Sequence, residues 1–254
     1  MTAPAAPLGM AGKTVLVTGA AGAYGRDIAT VFHRLGARLI LSDIGASPPT
    51  LPDLPVSSFR YLPADLADAS SLKLLADQVL AEGAPDVLVN NAGVFPFDDL
   101  LSTSLDSFDR VVAVNLRAPF YLTQRLGVAM ATRRTGAICN ISSAAASVVR
   151  ENGAVYGASK AGLEQLTRAF AIRLGRFGVR VNAVRPGLRS GDTVQQIPIE
   201  HLDRIAARVP LGRLARPGEV ANIVCFLCSD SASFVTGEVI AADGGSAINR
   251  RSAS

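Results

Sequence analysis

The chain has 254 residues, 49% of them hydrophobic and 18% charged, with a net charge of +4 at neutral pH. That balance is globular rather than disordered, and the length suffices for a large buried core. The sequence holds no apolar run of the roughly 18 residues that span a bilayer, and no basic stripe interleaved with aromatics, so membrane and nucleic-acid roles are set aside.

In chain order, residues 1–11 read as a loose Ala/Pro-rich N-terminal arm. The arm lacks the charged-then-apolar order of a secretory signal, which makes a cytoplasmic location the expectation. Residues 12–254 read as a single domain. A first buried strand is expected at Thr14-Val15-Leu16-Val17. A helix follows over 26–35, with Ile28, Phe32 and Leu35 on one face and Gly36 as its stop. Further strands are expected over 38–42, 59–62, 87–89, 137–141, 179–184 and 239–242. They alternate with helices over 71–80, 105–132, 156–177 and 219–228, and Pro119 marks a bend or break in the longest. Residues 187–209 carry the weakest pattern and read as a loop with a short helix. Repeated β-α-β units with strands apolar throughout imply an α/β fold. Its expected form is a doubly wound, Rossmann-type parallel sheet covered on both faces, in three layers.

The first strand runs into Thr18-Gly19-Ala20-Ala21-Gly22-Ala23-Tyr24-Gly25, which opens the first helix. Small residues there let backbone approach a pyrophosphate, and the helix N-terminus offers unpaired N–H groups. Gly19, Ala21, Gly22, Ala23, Tyr24 and Gly25 are therefore candidate cofactor contacts. Asp43 closes the second strand, where a carboxylate accepts hydrogen bonds from ribose hydroxyls and repels a 2′-phosphate. Ile44, not an arginine, follows it, so the pair points to NAD over NADP. Cys225 and Cys228 form a C-x-x-C, but they lie in an apolar helical pattern without histidines at zinc-site spacing, so they read as core residues, as does Cys139.

Tyr156 and Lys160, four residues apart, share one helix face. A fixed cation beside a phenol favours phenolate and suits the pair to proton transfer. Ser143, thirteen residues upstream, can hold a substrate oxygen near the same point.

Taken in order, these motifs resemble the short-chain dehydrogenase/reductase family over about residues 12–246. The glycine loop is followed by Asp65-Leu66, Asn90-Asn91-Ala92-Gly93, Val114-Asn115-Leu116, Asn140-Ile141-Ser142-Ser143, the Tyr156–Lys160 segment, the stretch 181–187, Val235-Thr236-Gly237 and Asp243-Gly244-Gly245. The resemblance implies a catalytic set of Asn115, Ser143, Tyr156 and Lys160, with Tyr156 and Lys160 also touching the cofactor. It places Asp65 and Leu66 beside the adenine. Asn91, Ala92 and Gly93 would lie along the cleft, with Pro186 and Gly187 beside the nicotinamide. Where the family grips the carboxamide with an aliphatic residue and a threonine, this chain has Arg189 and Gly191, with Ser190 or Thr193 as substitutes. The loop also departs from the family's T-G-x-x-x-G-x-G, since Ala23 and Tyr24 replace a glycine and an aliphatic residue. Its G-x-x-G-x-x-G resembles that of longer relatives, but no room for their extra C-terminal domain is expected here.

The implied activity is NAD(H)-dependent interconversion of a secondary alcohol and a ketone. A 3-oxoacyl-thioester reductase is the alternative, and a non-catalytic NAD-binding protein is the alternative of another class. Residues 94–97, 144–155 and 188–209 are the expected substrate lining. Arg150, Glu151, Asn152, Arg189 and His201 read there as solvated loop charges and polar groups, with anion binding by an arginine as the other reading. The resemblance also implies a homotetramer formed through the two long helices.

Overall fold

The computed structural model describes residues 8–51, 54–149, 151–191 and 199–248, without the side chains of 199–201. Residues 1–7 of the expected arm, Arg150, Thr193 and the His201 side chain lie outside the described residues, whereas Met10 is buried in the core.

Among the described residues seven strands and seven helices follow one another: β1 (Thr14–Thr18), α1 (Ala23–Arg34), β2 (Arg38–Asp43), β3 (Phe59–Pro63), α2 (Ala69–Leu80), β4 (Val87–Asn90), α3 (Leu105–Val112), α4 (Ala118–Arg133), β5 (Gly136–Ile141), α5 (Ala154–Gly175), β6 (Val179–Pro186), α6 (Ile199–Arg208), α7 (Glu219–Cys228) and β7 (Val239–Ala242). The strands form one parallel sheet in the order β3-β2-β1-β4-β5-β6-β7. Side-chain alternation along each strand divides the core in two. Val15 and Val17 point to one face, where they pack with Ile28 and Phe32 of α1 and Val224 and Leu227 of α7. Leu16 points to the other face, among Leu75 of α2, Leu122 and Leu126 of α4 and Leu174 of α5. The three cysteines belong to the first cluster and are buried free thiols, as core residues should be. Among the described residues no helix is long and apolar enough to cross a membrane.

Several element ends differ from the sequence expectation for local reasons. α1 begins three residues earlier, so the end of the glycine loop is itself the first helical turn; that turn has no acidic residue and its N-cap, Gly22, makes no side-chain bond. α2 begins at Ala69 because the Asp68 carboxylate caps it, accepting from the Ser70 and Ser71 backbone N–H groups at 3.0 and 3.3 Å. The long helix expected over 105–132 is two helices joined by a π-helical turn, Ala113–Arg117. Pro119 explains the break. It has no N–H to donate to the Asn115 carbonyl four residues back, and the Ala118 N–H bonds instead to the Ala113 carbonyl five residues back.

β1 turns into α1 on one face of the sheet, while the chain after β4 leads to the helices on the other face. A crevice therefore opens at the carboxyl ends of these two adjacent strands. The expected cofactor and catalytic motifs all sit at that edge.

Candidate active site

One cleft of about 450 Å³ lies over the glycine loop. Gly19, Ala21, Gly22, Ala23 and Tyr24 form its floor, Asp43 and Ile44 one end, and Asp65, Leu66, Asn91, Ala92 and Gly93 its sides. Gly25 lies behind them. A Cβ at Gly25 would sit 2.1 Å from the Gly19 carbonyl oxygen, so only glycine lets α1 start this close to the loop. The open N–H groups at the helix start, the absence of an acidic residue in that turn and the small-residue floor fit a dinucleotide pyrophosphate.

The carboxylates around this cleft are held by backbone. Asp43 accepts from the Ala21 N–H and from its neighbour Ile44 N–H, both at 2.8 Å, which fixes it at the end of β2. Asp65 accepts from the Ala67 N–H at 2.9 Å. The Asn91 amide donates to the carbonyls of Thr18 and Gly19 at 3.0 and 2.9 Å, so its side chain secures the glycine loop from across the crevice. Arg110 and Val114, from α3 and the π turn, also line the cleft. Sequence reading did not name Arg110, and it quoted Val114 only as the neighbour of Asn115.

A second, larger cleft of about 1010 Å³ continues from the first, and Tyr24, Asn91, Gly93 and Phe95 line both. Ser143, Tyr156 and Lys160 line this one. Tyr156 lies in the first turns of α5, and Ser143 begins the short turn after β5. Gly157 lets the two approach, because a Cβ there would meet the Ala145 carbonyl oxygen at 2.9 Å. Phe95 packs edge-on against the Tyr156 ring, with centroids 6.3 Å apart. The buried Lys160 side chain runs beneath the tyrosine. Its Nζ donates to the Ile141 carbonyl at 2.8 Å and lies 5.8 Å from the Tyr156 ring centroid. Burial lowers the Lys160 ammonium to a pKa of about 8.

Asn115 projects from the π turn into the same region. It exchanges two hydrogen bonds with the Val94 backbone, 2.9 Å to its N–H and 2.8 Å to its carbonyl, and donates to Ser159 Oγ at 3.2 Å. A Cβ placed on Gly93 would lie 3.4 Å from Asn115 Oδ1 and 3.5 Å from Lys160 Nζ, so both groups surround that glycine.

The neighbouring serines are used differently. Ser142 is buried and donates to Glu164 Oε1 at 2.7 Å, whereas Ser143 Oγ accepts from the Ala145 N–H at 3.2 Å at the edge of the cleft. Glu164, also buried, forms a two-pronged ion pair with Arg185. Burial pushes its carboxyl up, but the hydrogen bonds from Arg185 and Ser142 outweigh that and hold it below the usual range. Glu164 stands four residues after Lys160, a spacing that could have placed it on this face. Asn90 and Asn140 serve the frame. Asn90 donates to Asn140 at 2.8 Å, and Asn140 to Thr167 of α5 at 2.9 Å, which ties β4 and β5 to the helix carrying Tyr156.

Pro186, Gly187 and Arg189 border the second cleft. The Tyr24 hydroxyl donates to the Gly187 carbonyl and straps the glycine loop to the end of β6. Burial pushes the Tyr24 phenol up, despite Arg189 nearby, so it remains a donor. Arg189 itself pairs bidentately with Asp27 of α1, at 2.7 and 2.9 Å, with both side chains 11% exposed. Its charge is thus largely compensated within the protein.

A family profile described as enoyl-(acyl carrier protein) reductase matches residues 19–247. A 3-oxoacyl-(acyl-carrier-protein) reductase of Thermotoga maritima is 36% identical over 242 residues, covering 92% of this chain and 97% of that protein. A cis-4-hydroxycyclohexanecarboxylate dehydrogenase of Sinomonas cyclohexanicum is 36% identical over 238 residues, covering 92% and 96%. Among solved structures, a putative NAD(P)-dependent gluconate 5-dehydrogenase from Beutenbergia cavernae, described with bound NADP, superposes with a TM-score of 0.89 at 35% identity, covering 94% of this chain and 98% of that one.

Proposed function

The chain belongs to the short-chain dehydrogenase/reductase family, oxidoreductases acting on CH–OH groups, and we propose that this member interconverts a secondary alcohol and its ketone with NAD(H). The observation that carries this reading is the convergence of Ser143, Tyr156 and Lys160 on a cleft continuous with the dinucleotide cradle. NAD, when bound, supplies the hydride acceptor and NADH the donor. Tyr156 takes the proton from the substrate hydroxyl during oxidation and returns it during reduction. Ser143 orients the reacting oxygen. Lys160, pinned to Ile141, keeps positive charge behind the phenol. Asn115 holds the Val94 segment against the lysine and supports the proton path.

NAD rather than NADP is proposed because the Asp43 carboxylate is fixed at the cradle's ribose end, where it would repel a 2′-phosphate. The expected preference in kcat/KM is about tenfold or more, the scale of one charged contact. A preference for NADP, which the Beutenbergia relative is described as binding, would overturn it. Tyr156→Phe is expected to lower turnover by roughly 10²–10⁴ while NADH still binds, as read by nucleotide fluorescence. Full activity in that variant would refute the assignment of Tyr156. A non-catalytic nucleotide-binding role would appear as NADH binding without turnover across a broad alcohol and ketone panel.

A second reading, reduction of a 3-oxoacyl thioester, is favoured by the apolar wall of Phe95, Phe97, Val148 and Val149 together with the Thermotoga relative. Turnover of acetoacetyl-CoA in preference to simple ketones would establish it. Homotetramer formation through α4 and α5 is also proposed. Phe120 of α4 meets Phe170 of α5 at 5.8 Å between centroids, and Val128 and Ile172 stand 62% and 82% exposed on the same helices.

A further inference from the structure

The second cleft has an unbalanced charge lining. Its walls are mostly apolar, and no aspartate or glutamate lines it among the described residues. Three cations do: Lys160, Arg189 and Arg208. Lys160 is buried against Ile141 and Tyr156. Arg189 is held by Asp27 through two hydrogen bonds. Arg208, at the end of α6, has no hydrogen-bond or ion-pair partner among the described residues. It stands exposed beside Ile205 and Val209, a guanidinium that borders the mostly apolar cleft with no acidic partner among the described residues.

From this we infer that the cleft takes a substrate with an apolar body and a carboxylate, and that Arg208 receives the carboxylate while Tyr156 and Ser143 meet the reacting oxygen. The inference rests on the alcohol–ketone reading of the same site. A planar guanidinium matches a carboxylate in a two-pronged, charge-assisted contact. Among the described residues no acid lines the cleft to repel the anion, and the buried Lys160 adds to the attraction. Phe95, Phe97, Val148 and Val149 provide surface for the uncharged part. Arg208 thus sets which alcohols the site accepts without taking part in proton transfer.

The test uses the NAD-loaded protein, in which a ketone binds without turning over. The probes are 4-(3-oxobutyl)benzoate and its methyl ester, alike except for charge, and their affinities are read by isothermal titration. The acid is expected to bind about tenfold or more tightly than the ester, and Arg208→Met to bring the two within about twofold. Arg208→Lys should restore part of the difference, because it returns charge without the planar fork. Equal affinities in the unaltered protein, binding by neither probe, or a ratio that survives in Arg208→Met would each overturn the assignment. An Arg208→Met penalty confined to acetoacetyl-CoA would assign the arginine to the carrier's phosphates and would also overturn it. The alcohol–ketone reading has a separate readout: NADH oxidation by the methyl ester. Turnover without acid preference defeats only the Arg208 assignment, whereas acid preference with no turnover across the alcohol and ketone panel defeats only the alcohol–ketone reading.

Discussion

Lys160 is 3% exposed, and its ammonium has given up most of its hydration. Lowering the pKa from 10.5 to about 8 corresponds to roughly 3 kcal/mol against the charged form. On the proposed mechanism the side chain is placed for chemistry at the expense of stability. Lys160→Met fills similar volume without charge but leaves the Ile141 carbonyl without its donor, a loss of about 1 kcal/mol. The variant is expected to be more stable by about 1–2 kcal/mol at pH 7 in urea unfolding, and nearly inactive. The folded lysine releases its proton near pH 8 and the unfolded one near 10.5, so the folded state binds fewer protons between those values. The unaltered protein consequently gains stability as the pH rises through that window. The variant's advantage should be complete below about pH 8 and fade by about pH 10.5. An advantage that does not change with pH would contradict this account of the buried charge.

At the scale of an element, the junction of α3 and α4 matters most. The π turn at Ala113–Arg117 turns what would be a continuous helix into a support for the candidate active site, because it directs Asn115 toward Val94 and Ser159. Pro119 withholds the N–H that would close a regular turn on Asn115. Pro119→Ala supplies that N–H and a better helix former. It is expected to preserve or raise thermal stability while lowering kcat/KM roughly tenfold, since small displacements of positioning groups are costly to rate. Unchanged kinetics would show that the proline does not maintain the turn. The sequence marked Pro119 as a break and Asn115 as a functional candidate. It did not relate the two, because apolar spacing reports which face is buried and not which carbonyl lacks a donor.

For the molecule as a whole, the exposed apolar residues of α4 and α5 predict assembly. Light scattering is expected to show a tetramer, and Phe120→Glu, which places a charge beside Phe170, is expected to yield a smaller species. A monomer in the unaltered protein would remove the basis for this proposal. The sequence by itself determined the order of strands and helices, the parallel sheet and the motifs that end its strands. Alternating apolar periods are local, and a parallel sheet follows from them through short, right-handed connections. The family resemblance pointed to Ser143; in the structure both Ser142 and Ser143 line the cleft, with Ser142 donating to Glu164 and Ser143 accepting from the Ala145 N–H. Only the tertiary structure decided how the charges pair across the chain. Arg189 meets Asp27 from 162 residues away, Tyr24 meets Gly187 from 163, and Arg208 borders an apolar cleft that no acid lines among the described residues. Such pairings depend on which loops converge at the sheet edge, and no pattern along a single segment encodes that convergence.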